Sequence, residues 1–217
     1  MNTIRTYRQH GGTADLLGSY RFTVPTGSVT LIAARTATAG QLLNFRRSSS
    51  AATLVSVKFV GARFMLTTAY TTAQETGCDL TVARLFTVSG TDGTAIDLGS
   101  TVANTGKLLA GFPTSIMGAT AGTSRVATTA AITAGTHALD ANSLGSLSGW
   151  STGIGDIVPD TASGSSEGYG TLYDAARSGP LFLGADEGLI VRNTILMGAV
   201  GVGRWRFLVE WDEAALR

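Results

Sequence analysis

The chain holds little cysteine, histidine, lysine or charge, and each shortage narrows what it can be. Among 217 residues there is one cysteine, Cys78, and there are two histidines, His10 and His137. A single cysteine excludes an intrachain disulfide and a cysteine-only zinc site. Cys78, between Gly77 and Asp79, reads as a small residue filling space at a strand entrance. Charged residues are 14% of the chain, against about 25% in ordinary domains, and Lys58 and Lys107 are its two lysines. So weakly polar a surface is suited to packing against other chains. No run approaches the roughly 18 apolar residues of a membrane span, and Met1 to Arg8 lacks a signal peptide's apolar stretch. The expectation is a chain made in a cytoplasm, outside any membrane. An apolar stripe of helical period never persists for three turns, so helices should be short.

What the chain has is small residues and period-2 alternation. It contains 31 Thr, 29 Ala, 28 Gly and 18 Ser. In the C-terminal run, Trp205, Phe207, Val209 and Trp211 fall on one side of a pleat, with Arg206 and Glu210 on the other. This is a strand with one buried face, expected to be paired centrally. The run before it, from Glu187, reads as a second strand, and Gly198, Gly201 and Gly203 read as a hairpin connection between them. Further strands are expected at Tyr20–Val24, Val29–Ala33, Leu42–Arg47, Val55–Tyr70, Leu80–Val88, around Ile96 after the Asp92-Gly93 turn, and at Val126–Ile132. Val55, Val57, Phe59, Leu80, Val82, Phe86, Phe207, Val209 and Trp211 are the expected core. Eight to ten short strands without helical crossovers predict an all-β, two-sheet sandwich of the jelly-roll or Greek-key kind.

The termini of this pattern differ from its middle. Residues 1–19 hold Arg5, Tyr7, Arg8 and the Leu16-Leu17 pair but no periodic face, and are expected to be an extended N-terminal arm that orders on a partner. Residues 20–217 then form a single sandwich domain. The stretch 135–179, rich in Gly, Ser, Asp and Thr with Trp150 and Tyr169 as isolated large residues, reads as a long loop with a binding task. Residues 1–63 carry a balance of +7 and residues 64–217 a balance of −6. That asymmetry fits either cross-strand pairing within one subunit or a basic arm on the next subunit's acidic surface. The adjacent pair Arg46 and Arg47 is expected at an interface, where arginine forks meet carboxylates, and not on nucleic acid, given a net charge of +1.

Candidate chemistry is thin. Gly164-Ser-Ser-Glu-Gly168 matches the nucleophile-elbow pattern around Ser166 but sits in polar loop on both sides, with His10 and His137 as its available bases. Asp140-Ala-Asn-Ser-Leu-Gly145 fails as a calcium loop, having Leu144 and Ser151 at ligand positions. Asp92, Asp97, Asp156 and Asp160 lack the spacing of a paired acid and base. No catalytic, cofactor or metal residue is expected.

Three stretches together resemble a family of tailed-phage virion structural proteins. They are Gly77-Cys-Asp-Leu-Thr-Val-Ala-Arg-Leu-Phe-Thr-Val-Ser-Gly-Thr-Asp-Gly-Thr-Ala95, the segment Arg125 to Asp140, and Glu187 to Glu213 with its closing Glu-Trp-Asp-Glu. The similarity spans roughly Gln41 to Glu213. It implies a capsid decoration or cement protein on the exterior of a phage head, without catalytic residues, assembled in the bacterial cytoplasm. The implied partners are the major capsid protein and copies of itself, a trimer before a dimer, and neither membrane nor nucleic acid. A tail, neck or fibre component that binds the host is the alternative. Arg5, Tyr7, Arg8, Leu16, Leu17, Arg46, Arg47, Trp150 and Tyr169 are the expected contact residues.

Overall fold

The architecture comes from a computed structural model, which describes residues 6–9, 12–28, 40–47, 53–96, 98, 106–108, 112, 115–118, 124–128, 131–133, 135–151, 155–157, 168–195 and 201–216. In chain order its strands are β1 (Thr6–Gln9), β2 (Gly12–Pro25), β3 (Gln41–Arg46), β4 (Thr53–Thr68), β5 (Gln74–Val88), β6 (Thr94–Ile96), β7 (Gly106–Lys107) and β8 (Ser124–Val126). They continue with β9 (Thr136–Leu139), β10 (Gly145–Ser151), β11 (Gly155–Ile157), β12 (Gly170–Asp174), β13 (Leu181–Leu183), β14 (Gly188–Asn193) and β15 (Val202–Leu216). A 3-10 turn covers Ile116–Gly118. A four-residue helix, α1 (Ala175–Ser178), is N-capped by the Asp174 carboxylate, which accepts from the Ala176 N–H at 2.9 Å.

The strands make two antiparallel sheets. The first runs β1-β2-β15-β4, with β11, β12 and β13 along the far edge of β4 and β7 on β2. The second runs β10-β5-β14-β3-β8-β6, with β9 also on β5. Numbering the principal strands β2, β3, β4, β5, β10, β12, β14 and β15 from one to eight, the sheets read 1-8-3-6 and 2-7-4-5. That order is the jelly roll, two Greek keys wrapped into a sandwich. β14 and β15 therefore do not form the expected hairpin. β14 pairs with β3 and β5 and β15 with β2 and β4, so the two strands belong to different sheets. Alternation reveals which face of a strand is buried and is silent on its neighbour.

Between the sheets, Trp205, Phe207, Val209 and Trp211 of β15 are at most 1% exposed. Trp211 stacks on Tyr20 at 5.5 Å and meets Phe22 and Phe45 edge-on at 5.8 and 5.2 Å. It so joins β2 and β15 to β3 of the opposite sheet. Near the other end of β15, Trp205 packs on Phe64 at 5.0 Å.

The expected core needs two corrections on β4 and β5. On β4, Trp211 stands opposite Val57 and Glu210 opposite Phe59, so Lys58 is an extra residue and the strand bulges. The inward set switches there from Val55 and Val57 to Val60, Ala62, Phe64 and Leu66, leaving Phe59 half-buried outside the core. On β5, register slips between Arg84 and Val88, where Leu85 takes a positive φ of 51°. Phe86 is buried with Ala83 and Ile190 in a separate small cluster against Leu139, and Val88 is 47% exposed.

Two expected irregular segments are ordered strands. Residues 6–9 and 12–19 form a hairpin whose second strand continues the ladder on β15, from Ala14 opposite Leu216 to Ser19 opposite Asp212. Their backbone groups are satisfied by a long partner strand, so no periodic face of their own is required. Within 135–179, β9 and β10 close one flank of β5, and β11 and β12 lie along β4. Gly145 makes this tight packing feasible, since a Cβ there would lie 2.0 Å from the Leu172 carbonyl oxygen. The expected strand at Val29–Ala33 lies outside the described residues.

Truncating Trp211 to Ala should lower unfolding free energy by about 3–5 kcal/mol in urea titrations. Deleting residues 1–19 should also lower the thermal midpoint, because it strips one side of the end of β15; an unchanged midpoint would contradict the pairing of β2.

Candidate functional site

Among the described residues, several charged side chains tie strands of the fold together. Glu213, 1% exposed, accepts from the Ser115 hydroxyl at 2.6 Å, the Ile116 N–H at 3.1 Å and the Trp211 indole N–H at 3.1 Å. It pins the 3-10 turn to the end of β15. Asp212 beside it accepts from the Ser19 hydroxyl and pairs with Lys58 Nζ at 2.7 Å, tying the bulge to β15. In the second sheet, Arg192 donates to Asp79 at 3.1 Å and to Thr81 at 2.9 Å, all three buried. Arg84 holds Asp140 at 2.9 Å and Glu187 at 2.5 Å, and these carboxylates raise its pKa.

Several expected contact residues belong to this internal set. Arg47, 2% exposed, donates to the Thr53 carbonyl, and burial lowers its pKa. Arg46 donates to the Phe86 and Thr87 carbonyls at 3.0 and 2.6 Å and lies over the Phe86 ring, clamping β3 to the end of β5. Tyr169 is 6% exposed, with its Cβ 3.0 Å from where a Cβ of Gly61 would stand. These three side chains are committed within the subunit. Tyr7 and Arg8 lie in β1; Leu16 stands opposite Ala214, and Leu17 falls at a register shift of β2 on β15. Arg5 lies outside the described residues. Trp150, at the end of β10 opposite Glu75, is 71% exposed.

Among the described residues, the candidate chemical groups are not assembled. His137 packs edge-on to Phe86 at 5.1 Å with its Nε2 3.3 Å from Gln41, while Asp140 goes to Arg84. Ser166 and His10 lie outside the described residues, as do Asp97 and Asp160. Asp92 accepts from the Thr133 hydroxyl in the turn before β6. Cys78 is buried, and burial holds its thiol well above the ordinary range. Among the described residues, no three His, Cys, Asp or Glu side chains converge on a metal position.

Two surfaces stand out. One is the flank of the second sheet that carries Trp150 on β10, a strand paired through β5. The other is a cleft of about 110 Å3 on the first sheet, lined by Pro25, Arg63, Met65, Arg204, Trp205 and Arg206. Sequence reading passed over the cleft because its arginines sit on two strands whose pairing only the fold reveals. Comparison with protein-family models, with curated proteins and with solved structures finds no match to this chain.

Glu213→Ala should destabilise by about 2–4 kcal/mol in urea, since it strands three buried donors, whereas Trp150→Ala should stay within about 0.5 kcal/mol. Alkaline pH should also lower the protein's stability. Burial foremost, and Glu213's charge second, push the Tyr20 phenol well above its ordinary 10.0, and burial raises Tyr70 and Tyr173. A folded pKa above the unfolded one leaves stability intact below about pH 10 and removes it as pH rises beyond, by up to about 1.4 kcal/mol per unit for each tyrosine. Urea midpoints at pH 9 and 11 measure the loss, and Tyr20→Phe should shrink it.

Proposed function

We propose that this chain is a structural subunit of a tailed-phage particle, a decoration protein that sits on the head exterior and bridges neighbouring capsid subunits. The observation that carries the reading is the jelly-roll strand order, an architecture used in viral capsids and also in lectins and cupins. A fold does not by itself assign a function. The sequence resemblance of Gln41 to Glu213 directs the choice toward the virion, and two features support it. The charged side chains described inside the fold serve to tie strands together, and the exposed Trp150 is a large apolar contact on an otherwise weakly polar flank.

The mechanism is thermodynamic. A protein that binds the assembled shell and not its dispersed subunits stabilises the shell by mass action, by about 2.7 kcal/mol per site at a hundredfold excess over Kd. A closed homo-oligomer, a trimer in this reading, places several such contacts at once and multiplies their effect. Assembly takes place in the bacterial cytoplasm, with the major capsid protein and copies of the chain itself as partners.

The test is to mix purified protein with isolated phage heads and count bound copies by quantitative mass spectrometry. Hundreds of copies per head, with raised resistance of the heads to heat, are expected. A few to a few dozen copies on complete virions, and none on heads, would assign the chain to tail or neck; binding to neither would overturn the virion reading.

A further inference from the structure

Trp150 of β10 stands directly opposite Glu75 of β5, on a ladder whose register is unbroken from Gly145 opposite Leu80 to Ser151 opposite Gln74. Leu147 and its partner Cys78 are buried in the core, so Trp150 and Glu75, each three residues away along its strand, both turn outward. Side chains directly opposed on one face have Cβ atoms about 4.5–5.5 Å apart. One group can therefore touch both.

Neither side chain is used by the fold. Trp150 is 71% exposed and packs on no other ring, and among the described residues the half-buried Glu75 carboxylate makes no hydrogen bond or ion pair. The remaining charged residues of β5, β10 and β14 are engaged: Asp79 pairs with Arg192 at 3.1 Å, and Arg84 holds Asp140 and Glu187. Glu75 is thus the carboxylate of these strands that lacks a cation. On the same face the neighbouring rung is Ser148 opposite Gly77, so neither strand places a bulky side chain there beside the indole.

This pair selects its ligand by charge. An apolar partner covering Trp150 would also cover the Glu75 carboxylate and strand it without a counter-charge, which is costly. A phosphate chain would meet like charge. A cation satisfies both groups, because the electron-rich face of an indole attracts it and the carboxylate pairs with it. Arginine fits best: its flat guanidinium stacks on the ring while its fork meets the carboxylate.

We infer that Trp150 and Glu75 form a docking site for an arginine side chain on an exposed segment of a partner protein. The inference rests on the virion reading only in naming what meets Trp150 there, and its test needs no particle, so the two can fail separately. The probe is an end-blocked fluorescent peptide in which four arginines alternate with glycine, titrated into the full-length protein at low salt and followed by anisotropy. Saturable binding is expected, weakened by added salt. Glu75→Gln and Trp150→Ala should each weaken it by at least about threefold with thermal midpoints unchanged, and Trp150→Tyr, which keeps a ring face, should fall between. A lysine peptide should bind less tightly than the arginine one, and a peptide with neutral citrulline in place of arginine should not bind. Absence of binding, parent-like affinity of Glu75→Gln or Trp150→Ala, equal binding of the lysine or the citrulline peptide, or tighter binding of a glycine–leucine peptide would each overturn the assignment.

Discussion

The ladder between β4 and β15 is the constraint on which the rest of this fold depends. β15 is paired along its whole length, to β4 on one side and β2 on the other, and β4 in turn carries β11, β12 and β13 on its far edge. Each of these shorter strands gains its backbone partners only because a long, central pair already exists. Trp211 reinforces the same place from within, since its ring touches Tyr20, Phe22 and Phe45 and so ties both sheets to one side chain.

The long ladder brings a geometric problem that the bulge at Lys58 resolves. A bulge adds twist and switches the inward face, and here it lets β4 present Val55 and Val57 before it and Val60 to Leu66 beyond it to one core. It also carries Lys58 to Asp212, while Ser19 reaches the same carboxylate from β2. Three strands are thereby tied at one buried group. Glu213 does the equivalent for the 3-10 turn at Ile116–Gly118. Buried carboxylates of this kind fix register more than they add net stability, because desolvation offsets much of the pairing.

Strand existence was legible from residues. Leu42–Arg47, Leu80–Val88 and the C-terminal alternation of Trp205 to Trp211 all occur as strands, and the sandwich class follows from them. Phe59 was misplaced because period 2 extrapolates through a bulge that no local signal in Val-Lys-Phe-Val announces. β1, the start of β2, and β10 were missed for a different reason. The glycine and serine residues of β10 and of the start of β2 have weak strand preference, and these strands form because β5 and β15 offer open edges, while Thr-Tyr-Arg-Gln of β1 pairs in turn with β2. Arg47 and Tyr169 looked like surface contacts because arginine and isolated tyrosine are usually exposed; their burial depends on partners distant in sequence. Trp150, another expected contact residue, stands exposed.

The sequence by itself determined an all-β sandwich with a C-terminal strand buried on one face, because side-chain periodicity is local and needs no partner to be read. The tertiary structure alone decided that β14 and β15 belong to different sheets, that the first nineteen residues include paired strands, and that Arg63 meets Arg204 and Arg206 at one cleft. Those are questions of which distant strand lies beside which. Pairing is settled by the joint burial of both sheets and not by any one segment.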